Sequence, residues 1–104
     1  MLIEINTDKT IQWNGEQKKI QSTQIAKALE RFESNITRIE VHLKDENGDK
    51  KGLDDMSCLL EARLEGKQPI AVSSQANSID LAVLGAIHKM KAAIETIVGR
   101  RNNK

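Results

Sequence analysis

The feature that most constrains this chain is a change of hydrophobic period, made twice. Ile25, Ala28, Leu29 and Phe32 recur at three and four residues, the repeat of one helix face. From Ile36 the period drops to two: Ile39, Val41 and Leu43 alternate with Glu40, His42 and Lys44. Cys58, Leu60, Ala62 and Leu64 alternate in the same way with Glu61, Arg63 and Glu65. Helical spacing returns with Ile79, Ala82, Val83, Ala86, Ile87, Met90, Ala93, Ile94 and Ile97. Strands that are apolar on one side only need cover on that side only.

Two further strands complete the pattern. Leu2 to Asn6 reads as a short strand with Ile3 and Ile5 inward and Glu4 toward water. Gln68 to about Gln75 follows a tight Gly66-Lys67 turn, with Ile70 and Val72 inward and Pro69 near its start, where a missing donor is tolerated. The first helix is expected from Glu16 to about Glu33, after the turn signal Asn14-Gly15. The second is expected from Ile79 to about Val98, N-capped by Asn77-Ser78 and closed by Gly99. The order is β-α-β-β-β-α. It specifies an α+β fold in which a four-stranded sheet carries both helices on one face. The other face is wet, and its mixed charges are cross-strand pairs.

Between the second and third strands lies KDENGDKKGLDD, whose Asp45, Asn47 and Asp49 resemble the start of an EF-hand loop. Counted from Asp45, however, the position that needs glycine is Lys50, and the position that needs a bidentate glutamate is Met56. The flanks alternate as strands and not as helices. The stretch is a hairpin loop, and no calcium is expected.

Other chemistry is equally thin. Cys58 is the single cysteine, so there is no internal disulfide, which fits a reducing cytoplasm. One cysteine and two histidines make a structural zinc site improbable, and no pair has the helical i, i+4 spacing of a metal or catalytic site. Cys58 falls on the inward side of its strand and reads as inert packing. Asp54-Asp55 sits in a loop that does not preorganise acid-base work. There is no glycine-rich phosphate loop. We therefore expect no enzyme, no cofactor and no small-molecule substrate. No apolar run is long enough to span a membrane, and MLIEINTDK has no basic segment leading into an apolar one, so no signal peptide is expected.

Charge is distributed more tellingly than its sum of +1 suggests. Lys89, Lys91, Arg100, Arg101 and Lys104 face only Glu95 over the last sixteen residues, whereas five acids crowd Asp45 to Asp55. A basic helix end opposite an acidic loop steers a charged partner. Trp13 and Phe32 are the only aromatics, and Phe32 belongs to the helix stripe, so no sheet surface can stack single-stranded bases. Trp13 reads as a plug at the edge of the core.

Three stretches together resemble a known family: ALERFESNITRIEVHLKDENGDKKG, CLLEARLEGKQPIAVSSQA and LAVLGAIHKMKAAI. In element order, spacing and residue type the chain resembles the ribosome hibernation-promoting factors, also called the ribosome-associated inhibitor or sigma-54 modulation family. The resemblance implies a cytoplasmic protein, a single ribosome-binding-type domain over residues 1–104 without the C-terminal dimerisation domain of the long forms. It implies binding to the small ribosomal subunit and its rRNA in the channel that messenger and transfer RNA use, and hence inhibited translation in starved or stationary cells.

The family's last helix commonly reads A-[IV]-D-x-x-x-D-K-[LV]. Ala82-Val83 and Lys89 match it, with Met90 as an apolar stand-in at the last position, while Leu84 and His88 stand where the aspartates usually do. Lys89 is thus the RNA contact that the resemblance carries over. Lys91, Arg100 and Arg101 would join it from the last helix, and Lys18, Lys19, Lys27 and Arg31 from the first. Without partners in RNA these are solvated helix faces, with Lys27 and Arg31 pairing with Glu30 and Glu33. The alternative function is a protein-interaction module on the same fold. In that reading Leu81, Leu84 and Gly85 fall off the main stripe and form a small exposed apolar patch for a weak homodimer or another protein.

Overall fold

A computed structural model describes residues 1–8, 11, 13–46 and 56–99. Its elements are β1 (Leu2–Thr7), α1 (Gly15–Ala28), β2 (Ile36–Asp45), β3 (Met56–Leu64), β4 (Ile70–Ala76) and α2 (Ile79–Ile94). The strands form one sheet in the order β1-β2-β3-β4. β1 runs parallel to β2, so α1 serves as the crossover that a parallel pair requires. β2, β3 and β4 pair antiparallel in succession. The β-α-β-β-β-α order and the four-stranded sheet are those the hydrophobic periods specify.

Inner positions of the strands are buried as their alternation dictates: Ile39, Val41 and Leu43 on β2, and Cys58, Leu60, Ala62 and Leu64 on β3. They share one core with Ile25, Leu29 and Phe32 from the first helical segment and with Ala82, Val83, Ala86, Ile87, Met90 and Ile94 from α2. Both helices therefore cover one sheet face. Ile3, Ile5, Ile70 and Val72 pack at the margins of this core, and Trp13 plugs its edge. Burying each of the large aliphatic side chains contributes about 1.5–3 kcal/mol.

Asn14 starts α1 through a complete capping box. Its Oδ1 accepts from the Gln17 amide at 2.8 Å, and the Gln17 side chain accepts from the Asn14 amide at 3.2 Å. Ser78 caps α2, its Oγ accepting from the Leu81 amide at 3.2 Å. Gly66 turns the β3–β4 hairpin at φ 72°, a conformation that costs other residues their Cβ clearance.

Two boundaries differ from expectation. α1 stops at Ala28, and Glu30–Phe32 tightens into a 3-10 turn. The tighter winding still delivers Phe32 to the core, so the apolar stripe persists while the helix type changes. α2 likewise ends at Ile94 and widens into a π-turn over Glu95–Gly99. The acidic stretch from Asn47 to Asp55 lies outside the described residues, but both its flanks are strands, which excludes the helix-loop-helix frame of an EF-hand. No helix among the described residues is long and apolar enough to cross a membrane.

Candidate nucleic-acid interface

α1 and α2 run in the same direction across the sheet, and two contacts fix their alignment. Near the start, Gln21 Nε2 donates to Asp80 Oδ1 at 2.7 Å. At the far end, Arg31 forms an ion pair with Glu95. Gln21 is a buried polar residue on a stripe that periodicity marks only by its apolar members, so sequence reasoning missed it. Its amide holds the N-terminal turn of α2 against α1.

These contacts set the direction of each basic side chain, because successive residues of an α-helix are turned by about 100°. Lys91 is separated from Asp80 by eleven residues, about three turns, so it leaves α2 on the flank that faces α1. Lys89 is turned about 200° from Lys91 and leaves on the opposite flank. Its Nζ donates to the backbone carbonyl of Ser73 on β4 at 2.7 Å. Gly85, four residues earlier on the Lys89 flank, meets Ser74 of the same strand. The lysine carried over from the family motif thus rests on the sheet edge and not between the helices.

Arg31 is also engaged. Besides Glu95, its guanidinium lies over the Phe32 ring, 4.6 Å from the centroid. The pairing expected with Glu30 or Glu33 is replaced by one to Glu95 across the helices, because the 3-10 turn rotates Arg31 toward α2. Glu95 is one turn beyond Lys91 on the same face, so it stands among two of the cations proposed to meet RNA. Lys19 and Lys27 are exposed, while Lys18 is half-buried on the flank of Gln21 and Ile25. Arg100 and Arg101 lie outside the described residues. The structure therefore gathers Arg31 and Lys91 at the trailing end of the helix pair, places Lys89 apart, and spreads the α1 lysines along their own helix.

The apolar patch is corrected in one member. Leu81 and Leu84 are exposed, at 52% and 41%. Gly85 does not belong with them, for its Cα faces β4, and a Cβ there would run into Ser74 Oγ and stand 3.2 Å from Ser74 Cβ.

The outer sheet face carries the charges that alternation places there. The register stacks Arg38 against Arg63, and Glu4, Glu40 and Glu61 in one row across three strands. Arg38 joins the rows, reaching Glu4 at 2.6 Å and Glu40 at 3.0 Å. The Glu4 carboxylate, hydrogen-bonded to it, raises the Arg38 pKa further above its ordinary value. Arg63 lies 4.0 Å and His42 3.7 Å from Glu40. On the inner side Cys58 is fully buried, and loss of solvent pushes its thiol up to about 12. This is the environment of a packed thiol and not of a nucleophile.

No protein-family model and no curated protein matches the sequence. Solved structures do match the fold. The Thermus thermophilus Protein Y N-terminal domain superposes with a TM-score of 0.73 at 11% identity, covering 93% of this chain and 99% of that one. A ribosomal subunit interface protein from Coxiella burnetii gives 0.70 at 15% identity, over 95% of this chain and 99% of that one. The chain has the fold of these two proteins over more than nine-tenths of its length.

Proposed function

We propose that this chain is a ribosome-associated inhibitor of translation, a hibernation factor that occupies the small subunit and blocks messenger and transfer RNA access in the cytoplasm. The observation that carries the reading is the match to the two folds above over more than nine-tenths of this chain, one of them a ribosomal subunit interface protein. Binding is led by phosphate and by shape, since the outer sheet face has no aromatic side chain on which to stack bases. Lys91, Lys18, Lys19 and Lys27 approach rRNA from the helix side, and Arg100 and Arg101, which follow in the sequence, contribute further positive charge. Arg31 and Lys89 join only by releasing Glu95 and the Ser73 carbonyl. The Arg31–Glu95 pair is exposed and its exchange with phosphate is cheap, whereas Lys89 would also have to leave the sheet edge to reach the helix side.

Co-sedimentation of the purified chain with small ribosomal subunits, at low and moderate salt, tests this directly. Pelleting that fades as salt rises supports counterion release from phosphate contacts. Absence of pelleting at both salts overturns the reading.

A second reading rests on the helix face itself. Between residues 15 and 33 and between 79 and 99 there are six Lys or Arg against five Asp or Glu, a near balance beside which Leu81 and Leu84 stand exposed. Such a surface suits a protein partner or a second copy of the chain, and binding there would be insensitive to salt.

A further inference from the structure

We infer a divalent-cation site on the outer face of the sheet, made by Glu40 and His42 of β2 and Glu61 of β3, with the ligand set of a zinc-class ion. The inference is independent of the ribosomal reading. One ligand atom from each residue lies within 4.8 Å of the other two. The Glu40 Oε1 to His42 Nε2 separation is already 3.7 Å. Two ligands of a tetrahedral zinc, each about 2.0–2.1 Å from the metal, stand roughly 3.3 Å apart. Small rotamer adjustments at Glu61 and His42 close the remaining distance.

The backbone holds the three residues in place. Glu40 and Glu61 are direct cross-strand partners, and His42 follows Glu40 by two positions, so all three project from one face of the two central strands. Sites on paired strands are better preorganised than sites on loops. The register also explains why i, i+4 reasoning misses the cluster: its spacing is that of a hairpin, and the residues are joined only when β2 and β3 are aligned.

Charge and ligand chemistry point the same way. Two carboxylates directly opposite one another repel unless a cation lies between them. Glu40 is partly neutralised on one side only: Oε2 receives Arg38 at 3.0 Å, with Arg63 at 4.0 Å, while Oε1 is turned toward His42. Glu61 has no ion pair among the described residues. The arginines thus orient the Glu40 carboxylate from behind, as outer-shell groups do for ligating carboxylates, and leave the inner oxygen free. One imidazole nitrogen and two carboxylate oxygens suit zinc or a neighbouring first-row ion better than magnesium, and the open side of the sheet leaves room for water as a further ligand.

The two histidines make the test internal to one sample, since His88 is exposed on α2 and lies outside the cluster. Zinc chloride is titrated into the purified chain while both imidazole ring signals are followed by NMR, and stoichiometry is read by calorimetry. The expected result is one ion per chain, with a saturable shift of the His42 ring and none of His88. Affinity falls at least tenfold in both His42→Ala and Glu61→Gln. A triple Asp49→Asn, Asp54→Asn, Asp55→Asn variant binds as the parent does. Three results overturn the site: no saturable binding below millimolar zinc, a shift of His88 in place of His42, or binding that survives both ligand substitutions and disappears in the loop variant.

Discussion

Lys89 of α2 hydrogen-bonds the Ser73 carbonyl of β4, at 2.7 Å, across the margin of the sheet. The residue that the family motif marks for RNA is thereby held on the flank of the helix that faces away from α1, with Lys91 on the other flank. One docked surface cannot engage both equally. Charge reversal is expected to separate them. Lys91→Glu weakens ribosome binding at least fivefold and lowers the magnitude of the log-log salt slope by about one. Lys89→Glu changes affinity no more than twofold. Equal losses in sedimentation, with equal changes of slope, refute the assignment of the two flanks.

The Arg31–Glu95 pair bears on the same surface with the opposite sign. Glu95 neutralises Arg31 and stands one turn from Lys91, so it opposes any phosphate drawn to either. Glu95→Gln keeps the shape of the side chain and removes the charge. The expected outcome is ribosome binding three- to tenfold tighter at low salt, the gain shrinking as salt rises. Both partners are more than half exposed, so the stability cost stays below about 1 kcal/mol. Unchanged affinity in the pelleting assay indicates that the trailing end of the helix pair does not meet RNA.

Gly85 illustrates a helix position chosen by packing and not by propensity. Replacing glycine with alanine inside a helix ordinarily stabilises by about 1 kcal/mol. Here the added methyl displaces Ser74 Oγ from its present rotamer and still stands 3.2 Å from Ser74 Cβ. Gly85→Ala is therefore expected to destabilise by roughly 1–3 kcal/mol in urea unfolding. In a Ser74→Ala background the closer contact is gone, and the penalty falls by at least half. A stabilising Gly85→Ala in the parent chain is the outcome that contradicts this account.

The sheet was readable from sequence because burial on one face imposes a strict period of two, which a one-residue slip would invert. Ile39, Val41 and Leu43 on β2 and Cys58 to Leu64 on β3 left no other register of faces. The helix stripes were readable for the same reason. What sequence leaves open is what one element does to another. That Gln21 reaches Asp80, that Arg31 prefers Glu95 to its helical neighbours, and that Glu40 stands opposite Glu61 all depend on alignments between segments that no local period records. The basic residues were legible as a group, and the turn of about 200° between Lys89 and Lys91 is plain helical spacing; which of the two flanks faces α1 follows only from the Gln21–Asp80 and Arg31–Glu95 contacts.

Cys58 supplies a test of the core by pH. Its thiol is fully buried and pushed up to about 12 from an ordinary value of 9.0, whereas in the unfolded chain it titrates near that ordinary value. Above pH 9 the unfolded chain has released a proton that the folded chain retains, so the unfolded state binds fewer protons and stability falls as pH rises. The full contribution is present below pH 9 and is lost progressively toward pH 12. Between pH 9 and 10.5 the loss from this group is about 1.5 kcal/mol. Lysines titrate in the upper part of the same range, so the measurement is the difference between the parent and Cys58→Ala, each unfolded in urea at several pH values. The alanine variant starts lower, having lost the packing of the sulfur, but its stability declines less steeply with pH, and the two curves converge. Parallel curves mean that the thiol ionises in the folded chain as freely as in the unfolded one, which a fully buried position between β2 and β4 does not permit.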